Sequence, residues 1–163
     1  MKIIRVIKAS NLDRQVYDFL VDYMHEDEDR AKEIVDDHDY VIVDGENETD
    51  LGYNFIHDVL GDISEVFNKE QFFDFAKYGQ LFIESDEFSK NDDDIYVDSE
   101  GINSGADNEY DLGKFIFEEF YKGNFDNISE QDLNNCFDYT KFGKALLAED
   151  NFNKLDDKHY IQF

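Results

Sequence analysis

Carboxylates are the side chains whose number and spacing could do chemistry in this chain. Asp and Glu account for 41 of 163 residues against 15 Lys and Arg, a formal net charge of −26. Carboxylates at this density suit three tasks: holding a metal, acid–base catalysis, or standing in for phosphates. Asp107, Glu109, Asp111 and Glu118 match EF-hand ligand spacing, but Leu112 occupies the place of the turn glycine and Gly113 comes one position late. Leu112 recurs as Leu51 in a second Asp-Leu-Gly, so the stretch reads as a helix start and no calcium site is expected. His25, His38, His57 and His159 are scattered, with no two at i, i+3 or i+4, which argues against zinc. Cys136, beside Phe137 on an apolar stripe, reads as a core residue and not a nucleophile. No phosphate-binding loop, dinucleotide fingerprint or nucleophile elbow is present. The expectation is a protein without cofactor or metal that is not an enzyme.

Phosphate imitation is the task left. The acids cluster at Asp36, Asp37 and Asp39; at Asp44, Glu46, Glu48 and Asp50; at Glu84, Asp86 and Glu87; at Asp92, Asp93 and Asp94; and at Asp98 and Glu100. These fifteen are the candidate partner-binding surface. The net charge equals that of about 13–15 base pairs of duplex DNA. Such a chain is repelled by nucleic acid and by anionic membranes, so its expected partner is a basic protein groove. Residues 1–14 carry +3, 15–50 carry −12, 51–111 carry −13 and 112–163 carry −4, so the acid sits mid-chain.

The elements that must position these acids are legible too. With 16 Phe and 10 Tyr, the chain is too aromatic for a disordered acidic tail and must bury a core. No apolar run is long enough to span a bilayer, and Met1–Lys8 lacks the continuous apolar stretch of a signal peptide. With a single cysteine, these features point to a reducing cytosol.

An internal duplication organises the sequence. Asp50-Leu51-Gly52 returns as Asp111-Leu112-Gly113 at an offset of 61, and Phe73–Gly79 returns as Phe137–Gly143 at 64. Ten of the 25 positions from Phe73 to Val97 are identical at the second offset, which places a three-residue insertion near Gly123-Asn124-Phe125. Each copy reads as helix, helix, short helix and hairpin. Ahead of them, Lys2–Ala9 reads as a strand, Asn11 as the cap of a helix with a Leu12, Val16, Phe19, Leu20 and Tyr23 stripe, and Tyr40–Val43 as a strand. Ser99–Asn108 reads as a flexible junction. The expected fold class is α+β, an elongated tandem of small helix-plus-antiparallel-hairpin domains. Its parts are an N-terminal α/β segment (1–47) and two repeats (48–98 and 107–163).

The second copy carries Glu109-Tyr110-Asp111-Leu112-Gly113, then Cys136-Phe137-Asp138-Tyr139-Thr140-Lys141-Phe142-Gly143-Lys144-Ala145-Leu146, and ends in His159-Tyr160-Ile161-Gln162-Phe163. This resembles the last domain of the ArdA antirestriction family, with 48–98 as its duplicate. Lys144-Ala145-Leu146 stands where that family typically has Arg-Asp-Leu. The resemblance implies an elongated, homodimeric mimic of B-form DNA, carried by a phage or mobile element. It would act in the bacterial cytoplasm by blocking a type I restriction–modification enzyme. Two alternatives share the composition: a mimic aimed at another DNA-targeting defence such as a CRISPR effector, and an acidic adaptor for a basic protein. A metal-dependent enzyme ranks last.

Overall fold

The computed structural model describes residues 9–163, with side chains from Leu12 onward. Helix α1 (Ala9–Asp18) runs on into a π-helical turn over Phe19–Tyr23. The strand expected over Lys2–Ala9 lies outside the described residues except at Ala9, which already belongs to α1. Asn11 therefore lies inside the helix and not at its start. Val16 and Leu20 are buried as the stripe predicts, but Tyr23 is 64% exposed. The extra residue per π turn rotates it off the apolar face.

Local side-chain chemistry starts five of the later helices. Asp27 accepts from the Arg30 amide and opens α2 (Glu28–Asp36), which is followed by β1 (Val41–Asp44). Asn47 accepts from the Asp50 amide and opens α3 (Glu48–Asn54), which continues as a π-helical stretch over Phe55–Leu60. A 3₁₀ turn (Ile63–Glu65) and the short α4 (Lys69–Phe72) lead to α5 (Phe75–Glu84), capped by Asp74. Strands β2 (Phe88–Lys90) and β3 (Tyr96–Asp98) form a hairpin. Asn108 opens α6 (Glu109–Phe120) and Ser129 opens α7 (Glu130–Cys136), with a 3₁₀ turn (Phe125–Asn127) between them. Helix α8 (Tyr139–Glu149) precedes the hairpin β4 (Asn153–Asp156) and β5 (His159–Gln162). The fold is α+β, with small antiparallel sheets. Among the described residues no helix is long and apolar enough to cross a membrane.

Both copies thus show the same succession of helix, 3₁₀ turn, short helix, helix and hairpin. Matching bonds locate where they differ in length. The Gly61 amide donates to the Ile56 carbonyl, and the Gly123 amide to that of Phe117. Val66 donates to Ile63 and Ile128 to Phe125, both at 3.1 Å. The offset is 62 at these glycines and turns, returns to 61 at the caps Asn68 and Ser129 because Phe67 has no counterpart, and reaches 64 across α7, which has 7 residues against 4 in α4. The net lengthening therefore lies in α7, not at Gly123–Phe125.

The chain forms two compact units, one built from the residues up to Asp62 and from Tyr139–Phe163, the other from Ile63–Asp138. These do not follow the sequence copies. Each unit takes its first helix from one copy and its long second helix from the other: α3 packs on α8, and α6 packs on α5. Glycines make both crossings. A methyl on Gly52 would overlap the Tyr139 carbonyl oxygen, and one on Gly143 would overlap that of Glu48. In the other unit, Gly113 faces the Phe75 carbonyl and Gly79 that of Glu109 in the same way. Only a residue without Cβ lets two helix backbones approach this closely.

In the first unit the sheet order is β1-β5-β4, with Ile42 opposite Ile161. Val16, Leu20, Ala31, Ile34, Tyr40, Ile42 and Ile161 form its core, and the Tyr40 hydroxyl donates to Asp13 at 2.9 Å. In the second unit an isolated bridge joins Phe73 to Phe137. The Asp74 amide donates to the Cys136 carbonyl and the Asp138 amide to that of Phe72, each at 2.7 Å. The hairpins keep a matched contact: Lys90 Nζ lies 5.4 Å from the Tyr96 ring and Lys154 Nζ 4.8 Å from the Tyr160 ring. Ser99–Asn108 is no loose junction. It turns back along β3, where Ser104 donates from its amide and hydroxyl to the Tyr96 carbonyl and Ala106 is buried.

Candidate acidic interaction surface

The hairpin β2–β3 shows how the fold presents its acids. Asn91 Oδ1 accepts from the amides of Asp93 at 2.9 Å and Ile95 at 3.0 Å, so Asn91 holds the turn. Asp94 takes φ 60°, which aspartate tolerates better than most residues. The carboxylates of Asp92, Asp93 and Asp94 are exposed, and among the described residues none is engaged in a hydrogen bond or ion pair. Glu84, Asp86 and Glu87 are exposed just before the hairpin, with Glu84 accepting from Gln80 at 3.3 Å. Asp98 behaves differently. Its Oδ1 accepts from the amides of Glu100 at 3.0 Å and Ile102 at 2.7 Å, so it shapes the turn while Glu100 faces water.

The other candidates lie in the unit that contains β1. Asp36 and Asp37 are exposed at the end of α2, and Asp39 is half-buried. Asp44 is exposed, 3.5 Å from His159 Nε2, while His159 Nδ1 lies 2.8 Å from Asp156. Burial opposes ionisation of Asp156, but the Lys158 amide and the His159 ring outweigh it and hold the carboxyl below its ordinary value. Glu46 is exposed, and its carbonyl accepts from Lys154 Nζ at 2.6 Å. Glu48 and Asp50 are half-buried in the first turn of α3, where the helix dipole favours acid, and Asp50 accepts from the Glu46 amide at 3.0 Å. None of the fifteen is buried, and seven belong to this unit against eight in Ile63–Asp138.

Helix polarity separates structural acids from surplus ones. Helices α2, α5 and α8 end on Asp36, Glu84 and Glu149, and none has a base in its last turn. The C-terminal end of a helix carries partial negative charge, so each such acid opposes the dipole by about 0.3–1 kcal/mol. Stability alone would place Lys or Arg there.

Three exposed acids belong with the candidates though clustering did not select them: Glu109, Asp111 and Glu149. Glu109 and Asp111 stand 61 residues after Glu48 and Asp50, so the repeat offset was the signal for them.

Glu109, Asp111 and Glu118 lie on the continuous helix α6, which leaves no calcium loop. Among the described residues no three His, Cys, Asp or Glu side chains are placed to hold a metal. Cys136 is buried, and burial pushes its thiol up to about 12. Lys114 is drawn to Glu70 at 2.7 Å and Glu118 at 3.6 Å and lies over the Phe75 ring. No family model, curated protein or solved structure matches the chain.

Proposed function

We propose that this protein is a DNA mimic that inhibits a bacterial type I restriction–modification enzyme by occupying its DNA-binding groove. It acts in the host cytoplasm, as a binder and without catalysis. The observation that carries this reading is the placement of acid where the fold has no use for it. Three helices end on carboxylates against their own dipoles, and Asp92–Asp94 project from a turn that Asn91 already holds. Self-repulsion from a net charge of −26 lowers stability, so acid in these positions is accounted for by a basic partner. The ArdA resemblance of residues 107–163 names the enzyme class.

The test is competition with DNA at two salt concentrations. Inhibition should weaken as salt rises, because carboxylates displace counterions from the groove as phosphates do. Single neutralisations should cost about 0–1 kcal/mol each. Converting Asp92, Asp93 and Asp94 to Asn, together with Glu84→Gln, Asp86→Asn and Glu87→Gln, should lower affinity cumulatively. Salt-independent inhibition, or total loss through one carboxylate, would refute mimicry. A CRISPR effector assayed in parallel distinguishes the target, and inhibition of neither enzyme would favour an acidic adaptor.

A further inference from the structure

Phe67 is 89% exposed, far more than any other large apolar side chain among the described residues. Scattered surface apolar groups are ordinary, but they are rarely held out rigidly. Here the backbone on both sides is fixed. Ile63 and Val66, 2% and 3% exposed, anchor the preceding 3₁₀ turn, and the Val66 amide closes it on the Ile63 carbonyl. Asn68 follows in the left-handed region at φ 61°, and its carbonyl accepts from the Gln71 amide at 3.1 Å. Between a buried residue and a left-handed one, the ring has no route back to the core.

The duplication shows what the fold requires at this place. In the second copy the same turn closes on buried Ile128, and the next residue is Ser129, an exposed helix cap. Ser129 is the N-cap of α7 as Asn68 is of α4, so Phe67 is one extra residue between turn and helix with no counterpart in the second copy, and the fold does not need it. Glu65 and Glu70, two and three residues away in sequence, are exposed, with Glu70 paired to Lys114 at 2.7 Å. At this ring the chain's net charge of −26 suits a basic partner better than a second acidic copy.

We propose that Phe67 is the apolar anchor by which this acidic surface engages a basic protein, inserting into an apolar pocket of the groove while the carboxylates meet its cations. This rests on the DNA-mimic reading and adds to it the contact that distinguishes the protein from DNA. Rigid aromatic side chains at the centre of an interface carry binding energy out of proportion to their number. Charged rims mainly set the rate and the salt dependence.

The experiment uses the full chain and a type I methyltransferase complex as probe, with inhibition of DNA binding measured across a salt series. Phe67→Ser removes the ring, and Phe67→Leu keeps an apolar side chain. Phe67→Ser should weaken inhibition by about 30-fold, with an unchanged melting temperature and an unchanged slope of affinity against salt. Phe67→Leu should recover most of the loss, and the carboxylate-cluster variant should instead flatten the salt slope. Wild-type inhibition by Phe67→Ser, with loss in the cluster variant, would overturn the anchor and leave mimicry standing. A wild-type chain that does not compete with DNA would overturn mimicry and the anchor built on it. A wild-type dimer that Phe67→Ser dissociates would overturn the assignment in favour of a second copy.

Discussion

The glycine crossing between α3 and α8 makes a sharp test of how the fold is held. Gly52→Ala places a methyl against the Tyr139 carbonyl oxygen, with the Gly143 nitrogen 3.0 Å away. Helix propensity alone favours the substitution by about 1 kcal/mol. Overpacking costs about 1–3 kcal/mol, and the upper end applies because backbone, unlike a side chain, has no other rotamer. The net is a loss of about 2 kcal/mol, or about 4–8 °C in melting temperature for a chain of this size. The measurement is a thermal melt followed by circular dichroism, with hydrogen exchange to locate the loss in α3 and α8. Lys144→Ala, at an exposed site on α8, serves as the control and should stay within about 0.5 kcal/mol. A Gly52→Ala chain as stable as wild type, or more stable, would refute the close backbone crossing. Gly113→Ala should cost a similar amount, since it meets the Phe75 carbonyl and the Gly79 nitrogen in the same arrangement.

Tyr78 is 0% exposed and no hydrogen bond of good geometry reaches its hydroxyl; burial first, then the nearby Tyr121 hydroxyl, raises its pKa. Phe142 fills the equivalent position in the second copy without a hydroxyl, so Tyr78→Phe should leave stability unchanged or raise it by up to about 1 kcal/mol in denaturant titration. A clear loss would reveal a partner for that hydroxyl. Asp156 has a folded-state pKa below its ordinary 3.8, so the stability it contributes is fully present above that value and is lost as pH falls through the lowered one. Asp156→Asn should therefore be less stable than wild type near neutrality, with the gap closing as the solution is acidified below the ordinary value. A gap that persists at the lowest pH would show that the contribution is not ionic.

Much of this protein is written locally in its sequence. Asn47, Asp74, Asn108 and Ser129 each cap a helix through a bond to an amide three residues on, a contact that needs no tertiary structure. Tyr96 and Tyr160 are both buried in strands at matching positions of the two copies, because strand alternation is also a short-range property. The acid load, and the absence of histidine or cysteine groupings, is composition alone. Tertiary structure decided the rest. Near-duplicate helices offer near-duplicate apolar faces, so nothing local says whether α3 packs on α5 of its own copy or on α8 of the other; the fold takes α8. That choice gives Gly52 and Gly143 their purpose. The glycine pairs can be read as contact points only once the partner helix is known, because a close backbone approach leaves no mark in either helix alone.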